Sequence, residues 1–196
     1  MSGALELADW RRRVAELYAR VRASSEPETA HELWRTERDE LFRTHPQSPL
    51  PTNDPLRETG LLYWPYDRAL RFTVELVPTS PQRFDVPTSS DGTIHLERVG
   101  RARLLDAEID VWWLAQYGGG IFVPLRDGTA GTDTYGAGRY LLDTAKGADL
   151  GGTDNSLVLD LNFAYHPSCR YNPRWECPLA PDGNRISSSV CAGERL

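Results

Sequence analysis

The chain has 196 residues, 40% of them hydrophobic, with six tryptophans and a net charge of -6. That length and apolar content are enough for one core-bearing domain, or a domain with a helical appendage, without disulfide staples. Arginines are interspersed with Asp and Glu and form no basic stripe, which argues against a nucleic-acid partner. No window has the length and apolarity of a membrane span, and residues 1–9 have neither a basic nor an apolar leader region, so a cytoplasmic protein is expected.

Leu5, Ala8, Val14, Leu17, Tyr18 and Val21 recur at helical spacing and predict a helix over residues 5–22. Ser25 and Glu28 have the form of a capping box and Pro27 is tolerated in a first turn, so a second helix is expected over residues 26–43. Leu33, Trp34, Leu41 and Phe42 would face inward. The proline-rich run at 45–51 cannot continue a helix. It separates a helical arm and elbow, residues 1–50, from a β domain, residues 51–196.

Beyond the elbow the period becomes two. Phe72, Val74 and Leu76, then Ile94 and Leu96, then Ile109, Val111 and Trp113 alternate with other residues, and turn clusters such as 89–92 separate the runs. Further strands are expected at 101–105, 121–125, 138–142, 157–162 and 186–191, with a hairpin turn at Gly118–Gly120. Val111 and Trp113 should enter the core while Trp112 faces the other way. The expected class is therefore α+β, mainly β: an antiparallel β-sandwich or small β-barrel with an N-terminal two-helix arm.

The last third concentrates the chemistry. Between Asp160 and Arg185 lie Asn162, Tyr165, His166, Cys169, Asn172, Arg174, Trp175, Cys177 and Asn184, a mixture that is stable only as an internally satisfied polar wall. Trp34, Arg38-Asp39 and His45-Pro46-Gln47-Ser48-Pro49-Leu50 resemble the opening of a bacterial family known as a domain of unknown function, DUF1684. Residues 122–129, 134–141 and 160–185, ending in Ala192-Gly193-Glu194, resemble its later blocks. The resemblance runs from about residue 34 to the C-terminus. It implies a family pattern into which Arg126, Asp127, Tyr135, Arg139, Asn162, Cys169, Asn172, Arg174, Cys177, Asn184 and Arg185 fit. In that pattern Asn stands where this chain has His166, and no cysteine stands at Cys191.

Three readings of the thiols stay open beside plain burial. His166, Cys169, Cys177 and Cys191 have the ligand count of a zinc site but not the spacing of a ribbon or finger. Cys169 and Cys177 could close a short disulfide loop, or one could be a nucleophile activated by Arg170 or Arg174. Arg126 and Arg139 sit at strand ends across a glycine-rich connection. They would form either an anion clamp or, with Arg185, Asp127, Asp160 and Glu194, an internal ionic network. The glycine runs open no helix and do not cradle phosphate. His45 reads as capping or packing, Lys146 is set aside, and no Ser-His-Asp pattern is found.

The functional expectation is an enzyme acting on a small acidic or polar metabolite in a pocket, without an organic cofactor or metal. Arg126, Arg139, Asn162, Arg174, Asn184 and Arg185 would bind the ligand, with Asp127, Tyr135, Tyr140 and Cys169 catalytic. The alternatives are a non-catalytic small-molecule or metal binder, and a structural role in which the helical arm mediates a homodimer.

Overall fold

The structure, a computed structural model, describes residues 3–89, 91–115 and 117–196. Ser90, within the expected turn at 89–92, and Met1 and Ser2 of the leader reading lie outside the described residues. Helix α1, Gly3–Ala23, and helix α2, Pro27–Thr44, form as their periodicity requires and pack against each other. The capping box does not form: Glu26 is the N-cap of α2 with no side-chain bond, and Ser24 Oγ instead accepts from the Glu26 amide at 3.2 Å. Pro27 starts the helix on its own, since its fixed φ suits a first turn and its missing N–H would be unpaired there anyway. His45 ends the helix, packs edge-on against Trp10 and reaches Asp9 at 3.2 Å, which ties the elbow back to α1.

A single turn, α3 (Leu56–Thr59), precedes ten strands: β1 Leu62–Tyr63, β2 Arg71–Glu75, β3 Arg83–Pro87, β4 Thr93–Leu104, β5 Ala107–Leu114, β6 Ile121–Leu125, β7 Arg139–Asp143, β8 Gly152–Thr153, β9 Ser156–Asp160 and β10 Glu194–Arg195. They form a five-stranded sheet in the order β3-β4-β5-β6-β7, a three-stranded sheet β2-β9-β8 and a two-stranded pair β1-β10, with every pairing antiparallel. The α+β, mainly β class holds. The closed β-barrel does not: among the described residues no sheet returns on itself, and β3 and β7 are the margins of the largest one. Closure needs an unbroken circuit of tilted strands, and the two-residue pieces β1, β8 and β10 are too short to complete one.

One core joins the helices to both larger sheets. Leu17, Tyr18, Val21, Trp34 and Phe42 from the helices lie in the same cluster as Val74 and Leu159 of the three-stranded sheet and Leu104, Ile109, Val111, Val123 and Leu141 of the five-stranded sheet. The opposite face of the large sheet carries a second cluster, with Leu96, Trp112, Phe122, Tyr140 and Cys177, roofed partly by Trp175 and Leu179. Trp112 therefore faces away from Val111 as the alternation requires. Trp113 is instead 41% exposed and lies over Gly119 in the β5–β6 turn. Residues 186–191 form no strand; the Ile186 amide bonds Arg126 O and Gly128 N bonds Ser188 O, so this stretch is irregular chain laid along β6 and its following loop.

Candidate functional site

Arg139 opens β7 because Gly138 lets it: φ there is +98°, and a Cβ would stand 2.6 Å from Leu125 O. The Arg139 guanidinium is enclosed. It donates to Asp127 Oδ2 at 2.9 Å, to Val190 O at 2.9 Å, to Glu194 O at 3.0 Å and to Ala192 O, and stacks under Trp64. Asp127 also accepts from the Thr129 amide and hydroxyl and from Val190 N. Burial pushes the Asp127 carboxyl up, but the Arg139 charge and the Thr129 bonds pull harder and hold it below its usual range. The pair thus pins the irregular 190–193 segment and the start of β10 to β7, which is the geometry of an internal ionic lock.

The same segment ends in a second buried knot. Gly193, at φ +72°, faces Ala164 O and Leu161 O where a Cβ would clash, and delivers Glu194 inward. Glu194 accepts from Arg38 of α2 at 2.7 Å and from the His166 amide at 2.9 Å, with His166 Nδ1 3.5 Å away. Burial raises the Glu194 pKa, yet Arg38 and then His166 outweigh it and bring it down to about 2. His166 Nε2 accepts from the Tyr135 amide at 3.2 Å, so the proton belongs on Nδ1, toward Glu194. An asparagine amide offers the same donor and acceptor.

Between the helices and the β body lies a cavity of about 80 Å³. Its apolar wall is Trp10, Val14 and Leu17 of α1 with Leu41 and Phe42 of α2, and its polar groups include Arg38, Asp143, Lys146, Tyr165 and Ser168. Two buried atoms on its lining residues, Arg38 Nε and Asp143 Oδ1, have no hydrogen-bond partner among the described residues. One is a donor and the other an acceptor, and leaving both dry costs free energy. Asp143 Oδ2 is 3.5 Å from Lys146 Nζ. Burial and the neighbouring Asp143 charge raise the Tyr165 phenol well above its usual pKa, so it enters as a neutral donor. A space of this size admits a few waters or a small molecule of a few heavy atoms.

Cys177, on the floor of this cavity, pairs with Cys169. Cys169 occupies a 3₁₀ turn, Ser168–Arg170, and its amide donates to Cys177 Sγ at 3.4 Å. The hydrogen bond from the Cys177 thiol lowers the Cys169 pKa to about 6 against the opposing effect of burial, with Tyr135 adding to it; Ser89 Oγ stands beside the pair but gives its proton to Trp175 O at 2.9 Å. Donating that proton, and being buried, raises Cys177. The charge on Cys169 in turn adds to burial in raising Tyr135. All three cysteines are free, Cys191 is exposed, and no cluster of three or more His, Cys, Asp or Glu with metal-holding geometry occurs among the described residues.

The residues expected to share one site fall into separate groups. Asp127 and Arg139 form the lock; Tyr135 and Cys169 meet at the thiol pair; Tyr140, buried against Phe122 and Tyr165, donates to Pro178 O at 2.6 Å beside it. Asn162 brackets Asp67, donating to its carbonyl and accepting from its amide. Asn184 accepts from Trp112 Nε1 at 2.7 Å and donates to Asp110 O and Pro124 O. Arg126 is half-buried and makes no ion pair among the described residues, Arg185 pairs with Asp182, and Arg174 stacks on Trp175 at the surface. Arg38, Asp143 and Glu194 were not singled out as site residues. Arg38 and Glu194 lie inside the blocks of the family resemblance and Glu194 was read only as a member of the ionic network, whereas Asp143 lies outside those blocks and carried no signal.

Residues 58–195 match the profile of a family described as protein of unknown function (DUF1684), so the blocks read at residues 34–50 lie upstream of the matched range. Among solved structures the chain is similar to the solution NMR structure of an uncharacterized protein of Haloarcula marismortui. The two are 33% identical, with a TM-score of 0.59, over 86% of this chain and 94% of that one. A comparison with curated proteins gave no match.

Proposed function

The chain belongs to the DUF1684 family, and from that premise we propose that it is an enzyme acting on a small polar or acidic molecule held between the helical arm and the β body, without an organic cofactor. What carries this reading is the cavity in whose lining residues a buried guanidinium N–H and a buried carboxylate oxygen stand unpartnered. A ligand bearing an acceptor oxygen and a hydroxyl or amine donor, such as a hydroxy acid, would satisfy both. Arg38 and Lys146 supply positive charge for its anionic end, Tyr165 a neutral donor, and the apolar helix faces exclude water from its stem. Chemistry would fall to Cys169 and Tyr135, next to the Cys177 floor. The lock of Arg139 and Asp127 has no part in contacting the ligand.

A non-catalytic binder is the second reading. The observation favouring it is that Ser168 and Cys177 line the cavity whereas Cys169 is not among the lining residues. Thermal-shift screening against small mono- and dicarboxylic acids and hydroxy acids, followed by mass spectrometry of each stabilising compound after incubation, separates the two. Conversion supports the enzyme; stabilisation with the compound recovered unchanged supports the binder. No stabilisation by any compound, or stabilisation undiminished in Asp143→Asn, removes the cavity as the site.

A further inference from the structure

The thiol pair is built in a way that ligand binding in the cavity does not require. Cys177 is fixed: its amide donates to Ser89 Oγ at 3.1 Å, its carbonyl accepts from Ser89 N at 2.9 Å, and its side chain is part of the second core cluster. Cys169 is different, being half-buried in a single 3₁₀ turn whose following residues 170–176 contain Pro173 and Asn172 and belong to no sheet. The Cys169 amide already reaches Cys177 Sγ at 3.4 Å, and the two thiols shift each other's pKa in opposite directions. A disulfide at roughly 2 Å therefore needs only a small shift of the 3₁₀ turn that carries Cys169 toward Cys177.

Nucleophile and resolver are distinguished by their surroundings. The thiol of Cys177 and the hydroxyl of Tyr135 both favour the Cys169 thiolate at neutral pH, while Ser89 gives its own proton to Trp175 O at 2.9 Å. Cys177 keeps its proton and is shielded from solvent. Cys191 has none of this company and is exposed, so it provides an internal reference thiol.

We infer that Cys169 and Cys177 form a redox pair that reduces a hydroperoxide. The Cys169 thiolate attacks the terminal peroxide oxygen, the O–O bond breaks, and the departing alkoxide or hydroxide takes a proton to leave as alcohol or water; sulfur has lost two electrons and become a sulfenic acid. The Cys177 thiol then attacks that sulfur, the S–O bond breaks, and water leaves as the disulfide forms. A dithiol reductant returns two electrons and two protons. This activity goes beyond the cavity reading and holds or fails independently of it.

The test uses the full chain, reduced, desalted and treated with one equivalent of hydrogen peroxide at neutral pH, with intact-mass and peptide mass spectrometry over time. The expected result is a mass lower by two hydrogens, mapped to a Cys169–Cys177 crosslink, reversed by dithiothreitol and formed at least about tenfold faster than Cys191 is oxidised. Cys177→Ser should accumulate a dimedone-trappable sulfenic acid at Cys169, whereas Cys169→Ser should leave Cys177 reduced. Cys169 and Cys177 staying reduced while Cys191 oxidises would overturn the proposal. So would direct overoxidation of wild-type Cys169 with no crosslink.

Discussion

Replacing Arg139 with lysine probes the buried lock. Arg139 spans four acceptors from one planar group: Asp127 Oδ2 at 2.9 Å, Val190 O at 2.9 Å, Glu194 O at 3.0 Å and Ala192 O. A lysine ammonium is a single point with three donors and cannot reach the acceptors on both edges of that fork. Losing two bonds made by a charged donor, at about 1.5–3 kcal/mol each, and leaving buried carbonyls unpaired gives an expected loss of about 3–5 kcal/mol, since part of the attraction to Asp127 survives. For a chain of this size that corresponds to a Tm lower by roughly 10 °C. Urea unfolding monitored by tryptophan fluorescence at neutral pH reads it directly, and Arg139→Met, which strands the Asp127 carboxylate, should cost at least as much. A loss below about 1 kcal/mol for Arg139→Lys would show that the four contacts do not hold the 190–194 segment, and the account of the lock would be wrong.

Other perturbations separate the remaining parts. His166→Asn should keep stability within about 1 kcal/mol of the parent because the amide reproduces the Nδ1 donor to Glu194 and the Nε2 acceptor from Tyr135; His166→Leu should lose about 2–4 kcal/mol by leaving both partners unsatisfied, and equal losses would refute the tautomer assigned. His31 is boxed by Trp34, Tyr66 and Phe163, and burial lowers its pKa to about 4 from 6.5. Because the unfolded chain binds this proton first, the His31 contribution is complete above about pH 6.5 and falls away between there and pH 4, by roughly 3 kcal/mol; His31→Phe should flatten the urea-midpoint profile over that interval, and an unchanged slope would contradict it. Alkylation of Cys169 by iodoacetamide should rise with pH around a midpoint near 6, whereas a midpoint above 8 would mean that Cys177 and Tyr135 do not stabilise its thiolate.

The helices and most strands were legible because their apolar periods are long and uninterrupted: α1, α2, β2, β5, β6, β7 and β9 each stand where spacing put them. Strand β3 gave no signal, since Arg83-Phe84-Asp85-Val86-Pro87 buries only Val86 and has proline on its margin. Residues 186–191 looked like a strand, but their backbone is claimed by Arg126, Gly128 and the Arg139 fork and never joins a sheet ladder. Arg126, Asp127 and Arg139 were visible as charges near strand ends; what sequence order could not supply was the depth of Arg139 and Asp127, which makes those two a lock and leaves Arg126 out of it. The cavity was invisible for a different reason. Arg38 belongs to the arm and Asp143 to the end of β7, and only the packing of α1 and α2 on the body brings them to one cavity.

A high-resolution crystal structure of untreated protein, purified without chelator or added ligand, shows whether the cavity between arm and body is a ligand site. An ordered small molecule is expected there, its polar atoms meeting Arg38 Nε and Asp143 Oδ1. A cavity closed by those side chains pairing with their neighbours, or holding ordered water alone, would contradict it.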